Sequence, residues 1–272
     1  SMEVAEMKFT KMHGLGNDYI YLNCMEGEPE GLPALARRLS DRHFGVGGDG
    51  LICIGPSETA DFKMRMFNAD GSEGAMCGNG IRCLGKFVYD QGLTKKTALS
   101  VETASGVKFL ALRPKEGQVE EVTVDMGIPV LDHVRILPIL GMNYTVYPVS
   151  MGNPHAVVFL DGIGELKLEE LGPRFECHSS FPGRTNAEFV EVLSRDSLNM
   201  RVWERGSGET LACGTGACAA LAAAVSAGLA DRDAAVRLRG GVLQIRWSEN
   251  QHIYMTGPAV TVFKGEFENG TD

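Results

Sequence analysis

Hydrophobic and polar residues alternate along the chain in short runs that end at glycines, and fewer stretches have the spacing of a helix. We predict strands over residues 8–23, 49–54, 60–67, 100–112 and 119–126, and helices over 32–42 and 78–91. Beyond residue 129 we predict strands at 144–149, 155–160, 187–193, 199–203, 235–238, 242–247 and 252–255, and helices at 166–175 and 214–227. The pattern predicts a mixed α/β (α+β) fold whose second half copies the first.

Residue identities support this repeat at a fixed offset. Gly16-Asn17 and Gly152-Asn153 are 136 residues apart, and so are Cys77 and Cys213. Around the cysteines the same offset relates Met64, Arg65, Glu73, Gly78 and Gly80 to Met200, Arg201, Glu209, Gly214 and Gly216. Solenoid units are shorter, roughly 20 to 50 residues. The repeat therefore predicts two similar domains, with a boundary between residues 118 and 130.

Composition narrows the classes of function. The 272 residues include 34 glycines, while 44% are hydrophobic, which excludes a disordered chain and indicates that the glycines mark tight turns and close backbone approach. A formal net charge of −9 provides no basic excess to neutralise phosphates. We therefore expect a small-molecule ligand, with no nucleic acid or membrane as partner.

Cysteine usage indicates a reducing compartment. The seven cysteines form no CxxC pair of the kind found in zinc or redox motifs, so we predict no metal site and expect reduced thiols in a cytoplasmic protein without an export signal. The most apolar stretch, residues 217–230, is too short to span a bilayer and predicts a buried helix.

The strongest chemical signal is a pair of related segments, FNADGSEGAMCGNGIRC (67–83) and WERGSGETLACGTGACA (203–219). Each has a cysteine immediately before a predicted helix, where the free N–H groups and the helix dipole favour a thiolate and can also bind a carboxylate. One such cysteine alone would more often be a small buried hydrophobe. Because Cys77 and Cys213 are equivalent in the repeat, we predict that they face one interdomain cleft as a functional pair.

Two thiols on opposite sides of a cleft suit inversion at a carbon, because a thiolate can remove the proton from one face while a thiol replaces it on the other. The helix N-termini would bind the substrate carboxylate and stabilise the charge that develops on it. The five remaining cysteines lack this setting, and we expect them in the core or at incidental surface positions: Cys24, Cys53, Cys83, Cys177 and Cys218.

Polar residues at strand and turn ends form a second candidate set. Its members are Asn17, Asn68, Asn153, His155, Asn186, Glu204 and Arg205. Each asparagine alone would most often be a turn former, and His155 alone is as well suited to a structural hydrogen bond as to a functional role. Together they could bind the amino and carboxylate groups of a zwitterionic substrate, with Arg205 as a carboxylate fork. His155 and Glu204 could also tune the thiols.

At these residues the sequence closely resembles the diaminopimelate epimerase family. The matching blocks are MHGLGNDYI (12–20), RHFGVGGDG (42–50), MFNADGSEGAMCGNGIRC (66–83), VSMGNPHAVVF (149–159), RTNAEFVEV (184–192), WERGSGETLACGTGACA (203–219) and YMTGPA (254–259). They span almost the whole chain, and the combination is highly specific, although each short glycine turn is not.

The resemblance implies conversion of LL-2,6-diaminopimelate to the meso form, in lysine and cell-wall precursor biosynthesis, by a two-base mechanism without pyridoxal phosphate or another cofactor. Carried over position by position, Cys77 and Cys213 are the acid/base residues, with Cys77 favoured as the base for the LL isomer. The residues that bind the reacting carboxylate are then Gly78, Asn79, Gly214 and Thr215. Those that bind the distal L centre are Asn17, Asn68, Asn153, Asn186, Glu204 and Arg205, and those that tune the pKa of the thiols are His155 and Glu204.

The resemblance also implies two pseudo-symmetric domains, each a β-sheet wrapped around a central helix, and a homodimer. We place the domains at residues 1–120, joined by a C-terminal strand at about 262–272, and 121–261. One departure is Gly50, which stands where some family members carry a substrate-contacting Gln.

Three alternatives are less well supported. Proline racemases and hydroxyproline epimerases of the same superfamily typically have His after the first Cys-Gly and Pro before the second cysteine, where this chain has Asn79 and Ala212. A nucleotide-binding module would need GxxxxGK[ST] or a GxGxxG in a strand-turn-helix unit, and neither occurs. A thiol redox sensor would join Cys77 and Cys213 in a disulfide, which in the epimerase would be an inactivating oxidation.

Overall fold

The computed structural model describes residues 5–269 and divides into two compact units. One unit contains the chain up to Val124 together with the segment that begins at Pro258, and the other is Asp125–Gly257. The domain limits drawn from the sequence at 120 and 261 differ from these by a few residues and stay predictions. Residues 1–4 and 270–272, which those limits include, lie outside the described part of the chain.

The elements follow the predicted order. The helices are α1 (Leu32–Ser40), α2 (Gly78–Asp90), α3 (Leu168–Glu176) and α4 (Gly214–Ser226), with a 3₁₀ helix at Ile163–Glu165. The strands are β1 (Ala5–Gly14), β2 (Asn17–Asn23), β3 (Gly50–Gly55), β4 (Phe62–Asn68), β5 (Glu73–Gly74), β6 (Ala98–Thr103), β7 (Gly106–Lys115), β8 (Gln118–Asp125), β9 (Val130–Leu131), β10 (Arg135–Ile139), β11 (Met142–Ser150), β12 (Pro154–Phe159), β13 (Asn186–Ser194), β14 (Ser197–Glu204), β15 (Gly208–Thr210), β16 (Asp233–Leu238), β17 (Gly241–Trp247), β18 (Ile253–Pro258) and β19 (Val260–Asn269).

Strand pairing is the same in both units, which confirms the predicted repeat. In the first unit β19, β1 and β2 are antiparallel neighbours, β2 is parallel to β3, β3 is antiparallel to β4, β4 is parallel to β6, and β6 to β8 form an antiparallel meander. In the second unit β10 to β18 repeat that sequence of parallel and antiparallel pairs, with β12 parallel to β13 and β14 parallel to β16. The predicted α/β class is confirmed.

Each unit wraps its sheet around one helix. Helix α2 packs against β1, β2 and β7, and α4 packs against six strands from β11 to β17. The side chains of α4 from Ala217 to Ala224 are all buried, so the apolar stretch predicted as a buried helix is one, although it ends at Ser226. No helix within residues 5–269 is long and apolar enough to cross a membrane.

The predicted single strand over residues 8–23 is wrong, because the chain turns back at Leu15-Gly16. These two residues have φ values of 54° and 83°, the left-handed conformation that a two-residue hairpin turn requires at both positions. β1 and β2 consequently pair as a hairpin in which Gly14 lies opposite Asn17. The turn places Asn17 at the first position of β2, where its side chain reaches the N-terminus of α2.

Candidate active site

Cys77 and Cys213 occupy the same position at the start of the two central helices. Each is the N-cap, with extended backbone (φ −136° at both), and each Sγ accepts the N–H of the third helical residue at 3.4 Å, from Gly80 or Gly216. The first N–H groups of a helix have no acceptor within it, and the dipole adds positive potential there. Both caps therefore offer an environment that stabilises a thiolate.

The glycine two residues after each helix start packs closely against a neighbouring side chain. A Cβ on Gly216 would lie 2.7 Å from Glu188 Oε1 and 3.2 Å from Cys213 Sγ. At the equivalent Gly80 a Cβ would lie 2.8 Å from the Ile52 side chain. The Cys-Gly-polar-Gly pattern thus reflects side chains that pass directly beneath the first turn of each helix.

The first turns are suited to an anionic ligand. Their N–H groups and dipole would bind a carboxylate at Gly78-Asn79 and at Gly214-Thr215. Asn79 is buried, and its Oδ1 accepts no hydrogen bond from the described residues. Between residues 5 and 269 no group of three or more His, Cys, Asp or Glu side chains has an arrangement that could hold a metal ion.

Neutral polar groups surround Cys77. Its Sγ donates to Asn17 Oδ1 at 3.1 Å, and Asn79 Nδ2 donates to the same oxygen at 3.3 Å. The Tyr19 hydroxyl donates to Sγ at 3.6 Å. Burial, followed by the charge of a thiolate at Cys77, raises the pKa of Tyr19 well above its ordinary value, so this hydroxyl keeps its proton and remains a donor.

A charged network holds Asn17 in this orientation. Asp49 Oδ2 accepts from Asn17 Nδ2 at 2.7 Å, and a carboxylate can only accept, so the amide oxygen must face Cys77. Arg42 contacts Asp49 at 3.2 Å and binds both oxygens of Asp18, which also pairs with Lys11 at 2.9 Å. These residues were not among the site residues predicted from the sequence, although the block RHFGVGGDG contains two of them, Arg42 and Asp49.

Asn68 and Gly50 lie opposite each other on β4 and β3. Asn68 Nδ2 donates to Ser72 Oγ at 3.0 Å, which directs the amide within its own turn. A Cβ on Gly50 would lie 2.1 Å from the Phe67 carbonyl oxygen, so no side chain fits there without a backbone shift. The contact that some family members make with Gln at this position is unavailable in this conformation.

In the second unit a continuous chain of hydrogen bonds leads away from Cys213. Thr215 Oγ1 lies 3.6 Å from Cys213 Sγ and accepts from Asn153 Nδ2 at 3.2 Å. Asn153 Oδ1 lies 3.0 Å from His155 Nε2, and His155 Nδ1 lies 2.5 Å from Glu188 Oε1. The side chains of His155 and Glu188 are both 0% exposed.

The remaining predicted residues lie at the ends of β13 and β14. Glu204 accepts from the Thr210 hydroxyl, and a hydrogen bond from Cys213 also reaches its carboxyl group. Asn186 Oδ1 accepts the Arg205 main-chain N–H at 2.8 Å, while its Nδ2 donates to Pro154 O at 2.9 Å. The exposed Arg205 guanidinium donates to Gly183 O at 3.2 Å. Within this unit, Asn153, Glu204 and Thr215 are therefore gathered around Cys213.

Burial raises the pKa of the Cys213 thiol well above its ordinary value, and the carboxylates of Glu204 and Glu188 raise it further. The Thr215 hydroxyl and the Gly216 N–H lower this pKa in part. Burial also raises the pKa of Glu204. Cys213 is consequently held as a thiol, the form that can donate a proton.

Glu188 is a buried neighbour of Cys213 that was not among the site residues predicted from the sequence. It lies within the apolar run Ala187–Val190 of a strand, where an ionisable side chain requires a partner. That break in the apolar pattern was the signal in the sequence that could have indicated a buried ionisable residue at this position. The repeat offset also relates His155 to Tyr19 and Glu188 to Ile52, so it could have indicated that the two thiols have different neighbours.

Solved structures define the class to which this fold belongs. A PhzF-family phenazine biosynthesis protein of Bacillus anthracis superposes with a TM-score of 0.76 at 17% identity, covering 97% of this chain and 99% of that one. A hydroxyproline epimerase of Agrobacterium vitis superposes with a TM-score of 0.71 at 15% identity, covering 97% and 93%. Likeness at this identity establishes a shared fold alone.

Sequence comparison identifies the family. A family model for diaminopimelate epimerase matches residues 9–131 and 147–262. A diaminopimelate epimerase of Acetivibrio thermocellus is 55% identical over 96% of this chain and 99% of its own length, and one of Methanococcus maripaludis strain S2 is 52% identical over 96% and 100%. The chain belongs to the diaminopimelate epimerase family, which places it among the isomerases.

Proposed function

We propose that this protein interconverts LL- and meso-2,6-diaminopimelate with two cysteine thiols and without pyridoxal phosphate, in the biosynthesis of lysine and cell-wall precursors. The observation that carries the proposal is that Cys77 and Cys213 cap equivalent helices in two repeated units. Inversion needs one base and one acid on opposite faces of a carbon, and a duplicated thiol can supply both. Membership of the family agrees with this chemistry.

In the direction from LL to meso, the Cys77 thiolate removes the Cα proton and becomes a thiol. The electron pair left on Cα spreads onto the adjacent carboxylate, which is bound by the first-turn N–H groups of Gly78-Asn79 and Gly214-Thr215. The Cys213 thiol then donates its proton to the opposite face of Cα and becomes a thiolate. The raised pKa of Cys213 supports this assignment, because a thiol is the form that can donate. The step requires both cysteines to reach the same carbon.

The distal end of diaminopimelate bears a second amino and carboxylate group of fixed configuration. We assign its recognition to Asn17, Asn68, Asn153, Asn186, Glu204 and Arg205. The exposed Arg205 guanidinium suits the distal carboxylate, and the Glu204 carboxylate suits the distal ammonium. A cyclic imino acid such as proline lacks these groups, so this set favours diaminopimelate over the substrates of hydroxyproline epimerases.

Substitution of each cysteine tests the proposal. Without added cofactor, wild type should convert LL-diaminopimelate to the meso form and should leave L-proline unchanged, as followed by chiral chromatography. Cys77→Ala and Cys213→Ala should each lower kcat by at least about 10³-fold, because each removes one of the two proton carriers. The exposed Cys177→Ser is the matched control and should retain full activity. Full activity in either alanine variant contradicts the mechanism, and turnover of proline alone contradicts the substrate.

We also infer a homodimer in the cytoplasm. The dimer rests on the family resemblance, and the location rests on seven cysteines, which favour a reducing compartment. Sedimentation equilibrium should give twice the chain mass of 29.3 kDa. A monomer at micromolar concentration contradicts the dimer without affecting the proposed reaction.

A further inference from the structure

Glu188 lies directly beneath the first turn of α4. Its side chain is fully buried, and Oε1 approaches His155 Nδ1 at 2.5 Å. Oε2 has no hydrogen-bond partner among residues 5–269. Gly216, whose N–H donates to Cys213 Sγ, is so close that a Cβ there would lie 2.7 Å from Glu188 Oε1. A carboxyl group and a thiol thus share one helix N-terminus.

The first unit has no carboxyl group at this place. Ile52 occupies the position equivalent to Glu188, and it packs beneath Gly80 as Glu188 packs beneath Gly216. Tyr19 replaces His155, and Asn68 replaces Glu204. The equivalents in the first unit of the three positions that bring ionisable groups to Cys213 therefore hold two neutral polar side chains and one apolar side chain.

This difference between the repeats gives the two thiols different electrostatic settings, because buried carboxyl groups lie near Cys213 alone. A carboxylate and a thiolate compete for the same N–H groups and dipole, and the repulsion between two buried anions penalises the second one. The titratable groups that face Cys213 are Glu188 on β13, His155 on β12 and Glu204 on β14.

We propose that Glu188 is a positioning residue that makes Cys213 the harder of the two thiols to ionise in the resting protein. It acts through His155 and through the shared first turn of α4, without touching the substrate. Its meaning for catalysis rests on the proposed function. The raised pKa of Cys213, caused by burial and then by Glu204 and Glu188, agrees with it.

The pH dependence of thiol alkylation tests the proposal without substrate. The full-length protein is pulsed with iodoacetamide from pH 6 to 11, quenched and digested, and the Cys77 and Cys213 peptides are quantified by mass spectrometry in the same sample. In wild type the Cys213 profile should rise at higher pH than the Cys77 profile. E188Q should shift the Cys213 profile downward by at least about one pH unit, about a tenfold gain in alkylation at a fixed pH, since it removes a nearby negative charge.

Controls separate this effect from a general change in the fold. Glu191 lies three residues along β13, on the opposite face, so E191Q should leave both profiles within about 0.2 pH unit of wild type. E188Q should also leave the Cys77 profile unchanged. Glu188→Met, which keeps an unbranched side chain and removes both oxygens, should shift Cys213 in the same direction.

An unchanged or upward-shifted Cys213 profile in E188Q overturns the proposal. If neither variant folds, as judged by circular dichroism, a wild-type Cys213 profile at or below that of Cys77 overturns it equally. Epimerase activity is measured separately. If the protein is an active epimerase but its thiols do not titrate in the predicted order, only this inference is wrong. If the thiols titrate in the predicted order but the protein has no epimerase activity, only the proposed function is wrong.

Discussion

Single residues decide what each catalytic candidate can donate or accept. Asn17 faces Cys77 with its oxygen because Asp49 takes its amide protons, and Asp49 is in turn held by Arg42. In the second unit Thr215 accepts from Asn153 Nδ2, and its hydroxyl lies 3.6 Å from Cys213 Sγ. Hydrogen-bond direction at both thiols is therefore set by residues one or two contacts away.

Asp18 anchors the network beside Asn17, and its contribution to stability depends on pH. Although burial opposes ionisation, hydrogen bonds from Arg42 and Lys11 lower the pKa of Asp18 from 3.8 to about 2. A depressed carboxyl pKa stabilises the fold above the unfolded-state pKa, and this stabilisation is lost as the pH falls through the folded-state pKa. Asp18→Asn should therefore lower the free energy of unfolding by about 2 kcal/mol at pH 7.

The deficit of Asp18→Asn should shrink between pH 4 and pH 2, as measured by urea denaturation across that range. Asp161→Asn, at an exposed position, is the matched control and should lie within about 0.5 kcal/mol of wild type at every pH. A constant deficit down to pH 2 would rule out the ion pairs as its cause.

At the scale of elements, each unit has an equivalent ion pair between two neighbouring strands, and the two pairs differ in burial. Arg65 binds Glu73 between β4 and β5, and Arg201 binds Glu209 between β14 and β15. Arg65 is 31% exposed and Arg201 only 8%. Arg201 also donates to the carbonyl oxygens of Ile163 and Leu166, which fixes the 3₁₀ segment before α3.

Arg201→Met should therefore destabilise the protein far more than Arg65→Met. Removing the buried guanidinium takes both its hydrogen bonds from Glu209, which keeps only the half-exposed Arg239 as a cation, and takes a buried donor from the Leu166 carbonyl oxygen, a loss of about 3 kcal/mol. The more exposed Arg65, which pairs with Glu28 and Glu73, should contribute no more than about 1 kcal/mol. Paired urea melts at pH 7 measure the two losses, and equal losses would contradict the role assigned to burial.

Elements with strong local signals could be predicted from the sequence. Both central helices follow from Cys-Gly-polar-Gly and the apolar runs after it, and α4 was recognised as buried from its alanines. The hairpin at Leu15-Gly16 was missed because Leu carries no sign of a positive φ, and only the pairing of β1 with β2 imposes it. The strand β10 was missed for a similar reason, since its pairing with β11 determines it.

At the scale of the whole molecule, the duplication could be predicted from the motifs, whereas its asymmetry was visible in the sequence only as the replacement of Ile52 by Glu188 and of Tyr19 by His155. The offset of 136 residues between Cys77 and Cys213 gives equivalent helix caps, which is what a pair of proton carriers needs. What distinguishes the two thiols is Glu188 with His155, and this depends on packing beneath α4 rather than on the motif that contains the cysteine. The candidate residues followed from the repeat, while their partners required the fold.

The central claim is that two thiols divide the proton transfers, and solvent isotope labelling measures this directly. LL-diaminopimelate is incubated with the enzyme in deuterium oxide, without added cofactor, and stopped at low conversion. The meso product should carry deuterium at the inverted Cα, while the remaining LL substrate keeps its hydrogen, because the incoming proton comes from a thiol that has exchanged with solvent. Meso product that retains the hydrogen of the substrate, or formation that requires pyridoxal phosphate, would contradict the two-thiol mechanism.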